Sequence, residues 1–352
     1  MDNTAQRKGD SMRKWFIAML ILTGIFFVPA CSVSYRTENE VLKQEEEETE
    51  NSEGYITVGF SQVGSESDWR AANTQSFLDT FTAENGYYLL YEDAQNKQEN
   101  QLKAVRSFIL QEVDYILLDP VVETGWDSVL QEAKDAGIPV IVSDRKVVVS
   151  DESLYTCWVG SNFAEEGRKA GEWLANYLET RGRSRETINL VTLQGTLDSS
   201  AQLGRTEGFS EVLELHKNWN MLEYQSADFT QTKAQEVMER FLAKYPDIDV
   251  VICENDNMAF GAIDAIHEAG KTCGPDGDII IISFDAVRAA FEAMQEGKIN
   301  MMVECNPLQG PVVADIIQQL ERGEDVAKVR YMDEKYFDTS MDLDSIIETR
   351  TY

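Results

Sequence analysis

From Tyr55 onward, short apolar runs alternate with amphipathic stretches, and this rhythm narrows the fold more than any single motif. Tyr55–Phe60 reads as a strand. Trp69–Asn85 predicts a helix stopped by Gly86, and Gln98–Gln111 a second, with Leu102, Val105, Ile109 and Val113 at helical spacing. Tyr115–Leu118 and Val140–Ser143 read as strands around a helix at Trp126–Ala136 that stops at Gly137. The pattern resumes with predicted strands at Ile188–Leu193, Val250–Cys253 and Ile279–Ser283. Between and after them, helices are expected at Ala201–Leu215, Met258–Ala269 and Ala286–Gln295. Strands alternating with helices imply parallel sheets built from right-handed crossovers, an α/β architecture.

The chain also echoes itself. VDYILLDP, a helix and GIPVIVSDR in the first half answer IDVVICEND, a helix and DIIIISFDA in the second. In each half one strand runs out into Asp119 or Asn255, and the next into Asp144 or Asp285. Two similar lobes facing one another across a cleft are favoured, with a single long sheet as the alternative. Trp126 could line such a cleft, but an aromatic at a helix start more often belongs to the core.

In an open α/β sheet, ligands sit outside the carboxyl ends of the strands. The stretch GFSQVGSESDWR leaves the first strand and delivers Glu66, Asp68, Trp69 and Arg70 side by side. Later strand ends and adjoining helices add Asp144, Arg145, Arg205, Phe229, Asn255, Asp285 and Glu304. This mixture of guanidinium forks, acceptors and flat rings suits a neutral sugar. Hydroxyls donate to carboxylates and ring oxygens accept from arginine, while a C–H face lies on Trp69 or Phe229. Each residue alone also has a bland reading as a cap or a salt bridge; their shared location makes them a candidate site. The residues suit a furanose and a pyranose equally.

Composition removes several functions. With 31 Lys+Arg against 62 Asp+Glu, the net charge of −31 lacks the basic footprint that nucleic acid requires. There is no Walker loop, dinucleotide fingerprint, H-E-x-x-H helix or G-x-S-x-G elbow, so no catalytic activity, metal or cofactor is expected. His216 and His267 are too far apart in sequence to form a helical ligand pair. Cys157, Cys253, Cys273 and Cys305 could pair in three ways, although buried free thiols are the favoured reading for most.

The N-terminus reads as a targeting segment. Basic Arg7, Lys8, Arg13 and Lys14 precede an apolar run from Trp15 to Phe27, and Val28-Pro29-Ala30 leads into Cys31. This resembles the lipobox of bacterial lipoproteins, which implies cleavage after residue 30 and lipidation of Cys31. An uncleaved membrane helix and an ordinary secreted protein with a free thiol are the alternatives. Residues 31–54 carry the cysteine and an acidic stretch without apolar periodicity, expected to form a tether between a lipid bilayer and the domain.

VGFSQVGSESDWR, DAQNKQENQLKAVRSF, PVVETGWDSVLQEAKDAGIPVIVSDR, LQGT, ADFT and the run from Asn255 through Asp285 together resemble the type I periplasmic sugar-binding proteins of ABC importers. The galactofuranose-binding members are the most similar branch, and the match loosens after about Arg322. The resemblance implies two Rossmann-like lobes with parallel sheets, linked by three hinge strands and closing on one monosaccharide. The expected lobes are 55–158 plus about 305–335, and about 159–304 plus about 336–352. Sugar contacts are carried onto Glu66, Ser67, Asp68, Trp69, Arg70, Arg145, Arg205, Asn255 and Asp285. Asp144, Phe229 and Glu304 match positions used by ribose-binding relatives. Asp68 departs from the pattern, standing where close relatives have a small residue. The expected role is that of a monomeric, lipid-anchored extracytoplasmic receptor serving ABC permease subunits. The alternative is a receptor presenting its sugar to a sensor kinase or chemoreceptor.

Overall fold

The computed structural model describes residues 54–352, so the expected signal peptide, Cys31 and the acidic tether fall outside the described residues. In chain order the elements are β1 (Ile56–Gln62), α1 (Asp68–Thr80), β2 (Tyr87–Asp93), α2 (Gln98–Leu110), β3 (Tyr115–Leu118), α3 (Asp127–Asp135), β4 (Val140–Ser143) and β5 (Cys157–Gly160). There follow α4 (Phe163–Thr180), β6 (Ile188–Gln194), α5 (Ser200–Leu213), β7 (Trp219–Ser226), α6 (Gln231–Lys244), β8 (Val250–Cys253), α7 (Asp256–Glu268) and β9 (Ile280–Asp285). The chain ends with α8 (Arg288–Gln295), β10 (Met301–Glu304), α9 (Gly310–Glu321), β11 (Val329–Tyr331), β12 (Tyr336–Asp338) and α10 (Leu343–Thr349).

These strands form two six-stranded sheets of matching order, β2-β1-β3-β4-β5-β11 and β7-β6-β8-β9-β10-β12. The single-sheet alternative is thereby removed. Every pairing is parallel except β10 with β12. The inner strands YILL, VIVS, CWVG and VVIC are buried along their whole length, as expected of strands covered by helices on both faces. The chain passes between the sheets three times: after β5 into α4, after β10 toward α9, and from β11 to β12.

Local chemistry sets the ends of the helices. Ser67, Asn162, Ser199 and Asn255 each accept a backbone N–H of the first turn, satisfying a donor that would otherwise be orphaned. Gly137 and Gly270 stop α3 and α7 with φ of 77° and 73°, conformations that favour glycine. The helix expected over Trp69–Asn85 divides instead. It ends at Thr80, and a short 3₁₀ turn occupies Ala83–Asn85. Phe81 leaves the helical path and packs edge-on against Tyr87 of β2, with ring centroids 4.9 Å apart. Trp126 is fully buried in the core. All four described cysteines are buried and free. No helix among the described residues is long and apolar enough to cross a membrane.

Candidate ligand-binding site

A cleft between the two sheets encloses about 280 Å³ of empty space, counting the part open to solvent. Its walls come from the carboxyl ends of strands in both sheets, each carrying a polar or aromatic group into the same space.

On the first side, the Ser67 hydroxyl accepts the Arg70 backbone N–H at 3.1 Å and starts α1, which sets Trp69 and Arg70 on the first turn. The Trp69 indole N–H donates to the Cys305 carbonyl at 2.6 Å, fixing the ring against the second crossing between the sheets. The Arg70 guanidinium reaches three carboxylates: Glu66 Oε1 at 3.1 Å, Asp144 Oδ2 at 2.6 Å, and Asp119. Arg145 bonds Glu66 Oε1 at 3.3 Å and the Val121 carbonyl at 3.1 Å. Its guanidinium also lies 5.3 Å from the centroid of the Phe229 ring, which belongs to the opposite side.

On the second side, Asn255 caps α7 through the Met258 N–H at 2.8 Å and donates to the Phe229 carbonyl at 3.1 Å. Arg205, on α5, bonds Glu166 Oε2 at 2.7 Å, Asp285 Oδ1 at 3.3 Å and the Glu254 carbonyl. The backbone is strained where these groups emerge, with φ of 53° at Asp144, 60° at Phe229 and 103° at Asp285. Such conformations cost of order 1–3 kcal/mol each and persist where surrounding contacts hold them.

Burial shapes the charges. It pushes the Glu66 carboxyl up, but Arg70 and Arg145 outweigh it and leave the group below the ordinary glutamate range. Asp285 goes the other way: burial dominates the pull of Arg205 and holds its carboxyl well above the aspartate range. Burial likewise lifts Glu166, and it lifts Glu254 and Asp256 to about 7. Arg145 is lowered from the ordinary arginine value by burial and by the Arg70 charge.

Ten of the twelve expected ligand residues line this cleft: Glu66, Ser67, Trp69, Arg70, Asp144, Arg145, Arg205, Phe229, Asn255 and Asp285. Two lie elsewhere. Asp68 sits at the rim, where its backbone N–H and carboxylate bond the Asn257 side chain of the other lobe at 2.9 and 3.3 Å. Glu304 turns to the C-terminal tail, accepting from Arg350 at 2.7 Å and from the Tyr352 hydroxyl at 3.0 Å. Phe163, Ala201 and Cys305 also line the cleft and were not anticipated. Ala201 lies one turn before Arg205 and Cys305 directly follows Glu304, so spacing from the chosen residues could have found both.

Residues 58–325 match the periplasmic binding protein domain. The chain belongs to the type I periplasmic sugar-binding proteins of ABC importers. Among these proteins it is 43% identical over 270 residues to the galactofuranose-binding protein YtfQ of Escherichia coli strain K12, covering 76% of this chain and 82% of that one. A Mycobacterium smegmatis crystal structure in complex with β-D-fucofuranose superposes with a TM-score of 0.80 at 42% identity, covering 84% of this chain and 95% of the other. The periplasmic binding component of an arabinose ABC transporter from Shewanella sp. ANA-3, bound to α- and β-L-arabinofuranose, gives 0.78 at 42% identity with the same coverage. The type I periplasmic fold accounts for the paired sheets and the cleft at their strand ends.

Proposed function

We propose that this chain is the lipid-anchored, extracytoplasmic receptor of a sugar ABC importer, and that the ten cleft residues named above grip one neutral aldose in its furanose form. The observation that carries this reading is the balance of the cleft. Three guanidinium groups and three carboxyl groups line it beside the rings of Trp69 and Phe229. A dianion would meet the carboxylates of Glu66 and Asp144 there, whereas hydroxyls find both donors and acceptors. Glu66 Oε2 and Arg145 Nε are buried without partners, and each such atom costs roughly 1–3 kcal/mol until something bonds it. Sugar hydroxyls can supply those bonds. The furanose preference rests on the similar proteins, whose names and titles specify galactofuranose, fucofuranose and arabinofuranose.

Closure follows from the same geometry. The Lys146 N–H donates to Ser200 Oγ at 2.8 Å, and the Glu123 N–H to the Asp198 carbonyl at 3.2 Å, both bridging the lobes. A sugar touching both walls would favour this closed arrangement by its added contacts and present it to the permease.

Calorimetric titration with two arabinose analogues tests the assignment. 5-Deoxy-L-arabinose lacks the hydroxyl that closes a six-membered ring, and 4-deoxy-L-arabinose the one that closes a five-membered ring. Binding of the first and not the second is expected. The reverse order would make the site a pyranose site, and heat from neither these nor D-galactose, D-ribose and L-arabinose would remove the sugar reading.

A further inference from the structure

The three passages between the sheets meet at one side chain. Ser161 lies on the first, Cys305 and Asn306 on the second, and Glu334 on the third. Glu334 Oε1 accepts from Ser161 Oγ and from the Asn306 N–H at 2.9 Å, so a single carboxyl oxygen joins all three. Lys169 Nζ bonds the Glu334 carbonyl at 3.2 Å, adding α4. Beside this knot lies Glu166, fully buried. One carboxylate oxygen of Glu166, one of Glu334 and the Cys305 sulfur all lie within 4.8 Å of one another. Glu166 Oε2 is taken by Arg205, but Glu166 Oε1 has no partner. A protonated carboxyl on Glu334 would have an O–H to donate, next to a buried acceptor that lacks a donor.

We propose that Glu334 is a positioning residue for the ligand cleft, tying the three passages together and, through a proton shared with Glu166, holding the carboxylate that orients Arg205. The inference rests on the reading of the cleft as a sugar site. Its path runs from Glu334 to Glu166, whose carboxyl oxygens lie within 4.8 Å of each other, then by hydrogen bonds from Arg205 to Glu166 and to Asp285 in the cleft wall. Burial, followed by the Glu166 charge, raises the Glu334 carboxyl to about 9 against the bonds from Ser161 and Asn306 and the Arg205 charge. The other groups facing the knot are Lys169 from α4 and the Cys305 thiol, which burial keeps protonated. The Glu304 carboxylate nearby is bound to Arg350 and to the Lys335 N–H.

The same three side chains could in principle ligate a metal ion. The donors already present argue for a proton instead. Arg205 occupies one Glu166 oxygen, and Ser161 and Asn306 occupy one Glu334 oxygen. A thiol held protonated is also a poor ligand, because the thiolate is the form that binds metal. Loss of the shared proton would place a second anion, on the half-buried Glu334, beside the buried Glu166. That change would loosen the knot and draw Arg205 away from Asp285.

The test titrates the full chain with L-arabinose from neutral pH to about pH 10. Wild-type affinity should hold to about pH 8 and then fall by about tenfold in total by pH 10, as expected of one linked proton released near pH 9. Glu334→Gln, which keeps a donor toward Glu166, should bind within about threefold of wild type at neutral pH and lose the alkaline fall. An identical alkaline fall in the variant would overturn the proposal. So would a zinc-dependent change in affinity that the variant abolishes, which would replace the proton with a metal ion. Infrared difference spectra of the wild type and Glu334→Gln supply a readout independent of sugar. A protonated-carboxyl C=O band present at neutral pH, lost near pH 9 and missing from Glu334→Gln supports the assignment; its absence from the wild type at neutral pH, or its persistence in the variant, refutes it. A chain that shows this band yet binds no sugar would indict the sugar reading, leaving the hinge proton standing.

Discussion

The two halves of the cleft have the same strand order and end β4 and β9 alike in a strained aspartate, yet they handle charge differently. The first half sets Arg70 and Arg145 among Glu66, Asp119 and Asp144. The second sets Arg205 alone among Glu166 and Asp285, with Glu254 and Asp256 behind them. In the first half Glu66 is pulled below its ordinary range, although Asp119 behind it is pushed up by burial. In the second half Glu166, Asp285, Glu254 and Asp256 are all pushed up. A matching backbone thus holds a mostly fixed ion network on one side and a set of proton-binding acids on the other.

The largest effect expected from this contrast is at Arg145, a fixed charge whose Nε has no partner. Arg145→Ala should weaken sugar binding more than about tenfold, equivalent to at least ~1.4 kcal/mol, while leaving a cooperative melt. Equal affinity by calorimetry would take Arg145 out of the grip and undo the contrast on that side.

A smaller effect concerns stability against pH. Glu254 and Asp256 hold protons to about 7 when folded, against ordinary values of 4.5 and 3.8. Folding therefore favours their protonated forms. Their contribution is fully present below the ordinary values, declines as pH rises, and is lost above about 7. Glu66 acts in the opposite direction, but only as pH falls below its ordinary 4.5. The melting temperature should be about 5 °C higher near pH 5 than near pH 8. Glu254→Gln should flatten part of that slope, since its amide can donate to Thr206 Oγ1 and accept from the Gly195 N–H, the present partners of the carboxyl. An unchanged slope in the variant would assign the effect to other groups, Asp119 among them.

The smallest effect is expected where the halves touch at the rim. Asp68→Gly removes the carboxylate that accepts from Asn257, an exposed contact. Sugar release by stopped flow should quicken by about threefold, in keeping with the modest net value of a solvent-facing bond. No change would leave Asp68 without a part in closure.

What could be read from the sequence follows burial only in part, since the fully buried β5 and β10 went unread. β3, β4 and β8 are flanked by helices on both faces, so their apolar runs mark the observed ends to the residue. β2 and β7 went unread, and they occupy the same edge in the two sheets. An edge strand shows one side to solvent, and YYLLYED and WNMLEYQS accordingly mix polar residues into the run. The site was legible wherever a polar group sits at a strand end or on the adjoining helix turn. Glu166 sits in the first turn of α4, but neither β5 nor α4 was read from the sequence, so nothing marked it as the partner of Arg205. Asp68 and Glu304 teach the complementary lesson. Sequence placed both beside the cleft, but side-chain direction was set by Asn257 and by a tail that folds back from residues 350–352.

The three passages between the sheets also bear on how the molecule is made. The first sheet needs β11, Val329–Tyr331, which is synthesised only after five of the six strands of the second sheet. No prefix of the polypeptide contains a finished lobe, so neither half can mature while the rest is still emerging. Such a chain stays threadable until its last two dozen residues arrive, a property suited to any protein that must pass through a narrow channel before it folds.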